Sequence, residues 1–213
     1  MTPADAVLLD VFETVLTVDF GAALTGLAEA SGLPVSAWVA AGSDHGPALM
    51  TGAISPRDAF AEVLTRGGVS PDGAEGLVLR DRELLQEHVT VFPDVVPFVE
   101  ECHRRGLRVG LVSNCAPNAG PLLAHVGLAD LVDGVVLSCD VGSAKPDAGI
   151  YRHALAMLAA DAGRTVLVDD QAAYCAGAEA VGIRAVRIDR STGASDAGHE
   201  GAVTTLTEVL GML

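Results

Sequence analysis

Short runs of consecutive apolar residues recur along the chain at Ala6–Leu9, Arg108–Ser113, Val135–Ser138, Thr165–Val168 and Ala185–Ile188. Each is apolar at successive positions and not at alternate ones. That is the pattern of strands covered on both faces, and so of a parallel sheet. Helical periodicity fills the intervals, at Val95–Arg105, Gly120–Val126, Ile150–Ala160 and Ala172–Val181. Strands alternating with helices at this spacing predict βαβ units and a doubly wound parallel sheet of the α/β class.

The interval between the first two runs is different. From about Val18 to His88 no strand pattern is convincing. The segment reads as helices at Gly21–Ala30, Val35–Ala41, Pro56–Arg66 and Asp72–Glu87. Ser55 before Pro56 is an N-cap followed by proline at the first helical position, and Gly67–Gly68 stops that helix. The insertion is too long for a plain crossover. It predicts a helical cap over residues 18–88, beside an α/β core built from residues 1–17 and 89–213. Arg190–Gly201, rich in Ser, Gly, Asp and Thr, reads as a loop. There is no internal repeat.

Composition narrows the class. The 213 residues are 50% hydrophobic and 19% charged, which is too apolar for a disordered chain despite a formal net charge of −15. That acidity argues against nucleic acid or an anionic membrane surface as partner. No apolar run reaches the ~18 residues needed to span a bilayer, and no signal peptide opens the chain. Cys102, Cys115, Cys139 and Cys175 form no C-x-x-C pair and the histidines no H-x-x-x-H pair, so no zinc site is expected. A cytoplasmic protein with reduced thiols used as small core filler is the expectation. Oligomeric state is not legible.

In an open parallel sheet, ligands bind beyond the carboxyl ends of the strands. Asp10-Val11-Phe12-Glu13-Thr14 follows the first run. Ser113 and Asn114 follow the second. Lys145-Pro146-Asp147 lies in the loop after the third, and Asp169-Asp170 closes the fourth. Lys145 is the only lysine in the chain. Carboxylates, a hydroxyl and that lysine therefore converge on one edge. Three acids there repel unless a cation joins them, which implies Mg²⁺ held by oxygen ligands. A nucleophilic aspartate, a metal, a lysine and a hydroxyl with neighbouring amides make a phosphoryl-transfer site.

These segments resemble the motifs of the haloacid dehalogenase-like (HAD) hydrolase superfamily, in the branch with a helical cap after the first motif. Asp10-Val11-Phe12-Glu13-Thr14-Val15-Leu16 is similar to motif one, normally D-x-D-x-T. Leu111-Val112-Ser113-Asn114 is similar to motif two. Val141 to Asp147, with Ile150-Tyr151, is similar to motif three, and Val168-Asp169-Asp170 with Gly177-Ala178 and Gly182 to motif four. The resemblance covers nearly the whole chain. It implies that Asp10 is a nucleophile forming an aspartyl-phosphate, and that Ser113 and the Asn114 amide hold the phosphoryl oxygens. Lys145 would bridge Asp10 and the phosphate. Mg²⁺ would be held by Asp10, Asp170 and the Phe12 carbonyl, with Asp169 as ligand or supporting partner. The expected partner is a small phosphorylated molecule.

Two positions depart from the family pattern. Phe12 occupies the place of a second aspartate that protonates the leaving oxygen, help worth about 10²–10⁴ in rate. Adjacent Glu13 should point elsewhere. Tyr174 stands where an Asn often follows the paired acids, a change expected to touch loop support more than chemistry. Phe12 keeps two other readings open. A 2-haloacid dehalogenase tolerates an aromatic there, but usually carries an early-cap arginine, and Val35–Ala48 contains none. A catalytically weak binding module is the other, although it has little reason to keep so many costly charges together. Among residues with ordinary roles, Thr14 is expected to brace its loop through its hydroxyl, Asp147 to cap the helix from Ala148, Ser138–Asp140 to close a strand, and Trp38 to anchor the cap core. His45, His88, His125 and His199 are expected on the surface or in the core.

Overall fold

The computed structural model describes residues 3–191 and 201–213. Most of the expected Arg190–Gly201 loop, and His199 with it, lies outside those residues. Seven strands are present among the described residues: β1 (Ala6–Leu9), β2 (Leu16–Val18), β3 (Val89–Val91), β4 (Arg108–Ser113), β5 (Gly134–Leu137), β6 (Thr165–Asp169) and β7 (Arg184–Arg187). Five form a parallel sheet in the order β5-β4-β1-β6-β7. The chain winds outward from β1 to β5, then crosses back to β6 and β7. The switch in direction falls beside β1, where such sheets open a crevice.

The consecutive apolar runs are explained by the layers. Val7 and Leu9 of β1 face the helices α5 (Val95–Arg104) and α6 (Ala119–His125), while Ala6 and Leu8 face α9 (Ala148–Met157) and α10 (Ala172–Glu179). Burial on both faces, at about 1.5–3 kcal/mol for each large apolar side chain, leaves no polar face to alternate with. Short helices α7 (Leu128–Leu131), α8 (Ser138–Val141) and α11 (Leu206–Val209) complete the core.

Four helices fill the interval between β2 and β3: α1 (Phe20–Ser31), α2 (Val35–Met50), α3 (Pro56–Arg66) and α4 (Ala74–Glu87). They form the inserted cap. Ser55 accepts from the Asp58 amide as N-cap of α3. Trp38 is buried, donates from its indole N–H to Ser31 Oγ at 3.0 Å, and meets Phe60 edge-on at 4.9 Å. His45 is buried in the same helical core. No helix among the described residues is long and apolar enough to cross a membrane.

Several local expectations need correction. β2 and β3 form a two-stranded antiparallel ribbon, Leu16 opposite Val91 and Val18 opposite Val89. Three residues carry no readable period, and these pair with a segment some seventy positions away. Helix α2 runs on to Met50 through Gly42, Gly46 and Pro47, because tertiary packing of its buried face outweighs weak local propensity. Ser138–Asp140 belong to α8 and do not close a strand. There the Ser138 hydroxyl accepts the Cys115 N–H at 3.0 Å. Asp147 sits at the N-cap of α9, but its side chain makes no capping hydrogen bond.

Candidate active site

Register brings the acids together. Leu9 is level with Leu111 on β4 and with Val168 on β6. The next residues, Asp10 and Asp169, therefore leave adjacent strands side by side, with the Asp10 N–H donating to the Val168 carbonyl at 2.9 Å. Carboxylate oxygens of Asp10, Asp169 and Asp170 lie within 4.8 Å of one another.

Past Asp10 the chain turns tightly. The Val11 carbonyl accepts from the amides of Thr14, Val15 and Leu16, and Glu13 takes a left-handed φ of 58°, uncommon for a residue other than glycine. This turn feeds β2. Glu13 accepts from Thr17 Oγ1 at 2.6 Å, yet its charge still helps to raise the Asp170 carboxyl, so it does not stand clear of the acids. Thr14 is a correction: its hydroxyl is buried without a partner among the described residues, so it braces nothing. Its backbone carbonyl does, accepting from Arg190.

Lys145 reaches into the acid cluster. Its ammonium donates to Asp10 Oδ1 at 2.5 Å and to Asp169 Oδ2 at 2.6 Å. The other Asp169 oxygen accepts the Gln171 N–H at 2.9 Å. Asn114 holds Lys145 by its backbone: Oδ1 accepts the Lys145 N–H at 2.7 Å and Nδ2 donates to its carbonyl at 2.8 Å. Burial pulls against the lysine's charge, but the two carboxylates outweigh it and its pKa is raised. Burial, reinforced by Asp169, raises the Asp10 carboxyl against the pull of Lys145. Asp170 is raised by burial and then by Asp10. Arg187 Nε donates to the Asp170 backbone carbonyl at 3.2 Å, and among the described residues no side chain donates to the Asp170 carboxylate.

Ser113 is fully buried at the end of β4, and its Oγ has no partner among the described residues. A buried hydroxyl left unpaired costs about 1–3 kcal/mol, so the end of β4, the strand beside β1, retains an unused donor. The Phe12 ring packs against Phe20, the first residue of α1, with ring centroids 6.0 Å apart. Tyr174 has more than loop support to offer, since its ring lies 5.0 Å from the Lys145 ammonium. Tyr151 donates to the Tyr174 carbonyl at 2.6 Å. Gly177 permits this packing: a Cβ there would lie 2.7 Å from Pro146 and 2.9 Å from the Tyr151 hydroxyl.

A polar contact with no sequence signal joins the cap to this edge. Asn118, at the start of α6, donates to Asp81 of α4 at 2.8 Å. Asp81 sits in the charged run Arg80–Glu83 and reads as a solvated face. Burial instead raises its carboxyl, offset in part by the Asn118 hydrogen bond. Both residues border a cavity of about 150 Å³ between the cap helices, otherwise lined mainly by apolar groups including Trp38 and Phe60. Asn118→Ala removes a donor from a buried carboxyl, at a cost of about 1.5–3 kcal/mol. A lower denaturant midpoint is expected, with faster hydrogen exchange along α4; unchanged exchange in α4 would show that this contact does not hold the cap.

The model of the haloacid dehalogenase-like hydrolases matches residues 4–182, and the chain belongs to that family. A phosphatase of Mycobacterium tuberculosis is 39% identical over 102 residues, 47% of this chain and 47% of that protein. The phosphoserine phosphatase of Thermus thermophilus is 32% identical over 136 residues, 62% of this chain and 53% of the relative. The chain thus matches about half the length of these relatives. A solved HAD phosphatase from Thermococcus onnurineus superposes with a TM-score of 0.68 at 25% identity, covering 98% of this chain and 97% of that one.

Proposed function

We propose that this protein is a Mg²⁺-dependent phosphatase of a small phosphorylated metabolite, with Asp10 as covalent nucleophile. The observation that carries it is Lys145, buried and bonded to Asp10 and Asp169 at 2.5 and 2.6 Å, with the Ser113 hydroxyl unpaired among the described residues at the end of the neighbouring strand β4. The phosphatase names of the matched relatives support the same reading.

The Asp10 carboxylate attacks phosphorus, and the ester oxygen leaves with the bonding electron pair. Water then attacks the aspartyl-phosphate, releasing inorganic phosphate and restoring Asp10. Lys145 keeps its proton throughout and offsets the charge of Asp10 and the phosphoryl group. Ser113 Oγ and the Asn114 backbone N–H hold phosphoryl oxygens. Phe12 has no proton to give, so the leaving oxygen is protonated from solvent. The oxygen donors suit a hard cation, because the three carboxylates lie close together and Lys145 bonds only Asp10 and Asp169. Asp10, Asp170 and the Phe12 carbonyl would hold Mg²⁺, which when bound neutralises phosphoryl charge. Asp169, with both oxygens occupied, fits the positioning of Lys145 better than ligation.

Phe12 also suits a 2-haloacid dehalogenase, against which stand the retained Asp169–Asp170 pair and the absence of arginine from residues 35–48. A panel of phosphate esters and 2-haloacids, assayed with Mg²⁺ and with EDTA, separates the two. Ester hydrolysis that EDTA abolishes is expected. Haloacid turnover that persists in EDTA, with esters inert, would replace the phosphatase reading.

A further inference from the structure

Beyond the Lys145 cluster, the most buried ion pair among the described residues joins Arg190 to Asp94, with side chains 8% and 16% exposed. Arg190 lies just past β7, and Asp94 immediately precedes α5. The pairing is two-pronged: Nη1 donates to Asp94 Oδ2 at 2.8 Å and Nη2 to Oδ1 at 3.0 Å. The remaining donors go to backbone. Nε and Nη2 donate to the Thr14 carbonyl at 3.1 and 2.8 Å, and Nη1 to the Thr204 carbonyl at 3.3 Å. These contacts match the five N–H groups of a guanidinium, so none is left for a ligand. The guanidinium also lies 4.5 Å above the Phe92 ring.

The partners share a location. Thr14 closes the turn that begins at Asp10 and leads into β2. Phe92 and Asp94 follow β3, and the Phe92 N–H donates to the Val15 carbonyl at 3.1 Å. One side chain therefore joins both roots of the ribbon that connects cap to core. Asp94 is fixed again from the far side, where Oδ2 accepts the Leu206 N–H at 2.8 Å.

We infer that Arg190 is a positioning residue for the reaction: it clamps the Asp10 turn and the base of the β2–β3 ribbon into one rigid unit, so that cap movement does not displace the nucleophile. This rests on Asp10 as nucleophile. Lysine cannot substitute, because a point charge cannot serve a carboxylate and two carbonyls in one plane. Displacements near 1 Å at a reacting group cost about 10²-fold in rate.

The test uses Arg190→Ala and Arg190→Lys, with p-nitrophenyl phosphate and Mg²⁺. In both variants kcat is expected to fall by about 10–100-fold while KM stays within about twofold of the parent. Guanidinium chloride at millimolar concentration should restore part of kcat to Arg190→Ala, and sodium chloride at equal ionic strength should not. A raised KM with unchanged kcat, or a loss that guanidinium does not relieve, would overturn the inference. Should Arg190→Ala fail to fold, Arg190→Lys decides it through hydrogen exchange. Residues 11–18 and 89–92 are expected to exchange faster together, and unchanged protection in either segment refutes the clamp. That readout needs no turnover, so it stands apart from failure of the phosphatase reading, which an inert parent enzyme would reveal.

Discussion

Asp10→Asn is expected to abolish phosphate-ester hydrolysis in a protein that remains folded, with kcat lower by on the order of 10⁴-fold or more. An amide oxygen is too weak a nucleophile to form the acyl phosphate. The fold should tolerate the change, for reasons visible in the site. Asparagine keeps an acceptor for the Lys145 ammonium, and Lys145 keeps Asp169 at 2.6 Å. The substitution also removes a carboxylate whose ionisation burial already opposes, and which Asp169 repels. Stability should therefore hold or rise slightly. Single-turnover kinetics on the purified variant, with circular dichroism for folding and mass spectrometry to exclude deamidation back to aspartate, provides the check. Near parental turnover would remove Asp10 as nucleophile.

Phe12→Asp should act in the opposite direction. If turnover is limited by protonation of the leaving oxygen, a carboxylic acid two residues past Asp10 restores the missing proton donor. Alkyl phosphates, which are poor leaving groups, should then be hydrolysed about 10²-fold faster. p-Nitrophenyl phosphate should gain much less, because its phenolate departs readily without a proton. The Phe12 ring touches Phe20 at the entrance to the cap, so the variant also gives up an apolar contact, and folding must be verified first. A dehalogenase would instead lose activity, since a carboxylate near Asp10 disturbs an apolar halide pocket. An equal response of both esters would sink the missing-acid explanation.

Two expectations about residues near the site changed once side chains were placed. Glu13 was expected to point elsewhere, and although it accepts from Thr17 its charge still raises the Asp170 carboxyl. Tyr174 was expected to touch loop support more than chemistry, yet its ring faces the lysine on which the acid cluster depends. Nothing in the spacing of Tyr174 from Asp169 and Asp170 reveals this, because Lys145 enters from a different loop and is aimed by Asn114 on a third segment.

Consecutive apolar residues by themselves determined the parallel sheet, and the polar residues at the ends of those runs determined where the acids, Ser113 and Lys145 would gather. Both are local properties: a strand buried on two faces needs a continuous apolar run, and its terminus needs a polar exit. The helical insertion was legible as four helices, with the cap and stop of α3 written in adjacent residues, while the end of α2 was not. Only the tertiary structure decided the β2–β3 ribbon, the Asp81–Asn118 contact and the Arg190 clamp on Thr14 and Asp94. Each joins segments 37 to 176 positions apart, or pairs three-residue strands with no period of their own. A surface-type residue such as Asp81 or Arg190 acquires its role only when distant backbone closes over it and its charge must find a partner out of water.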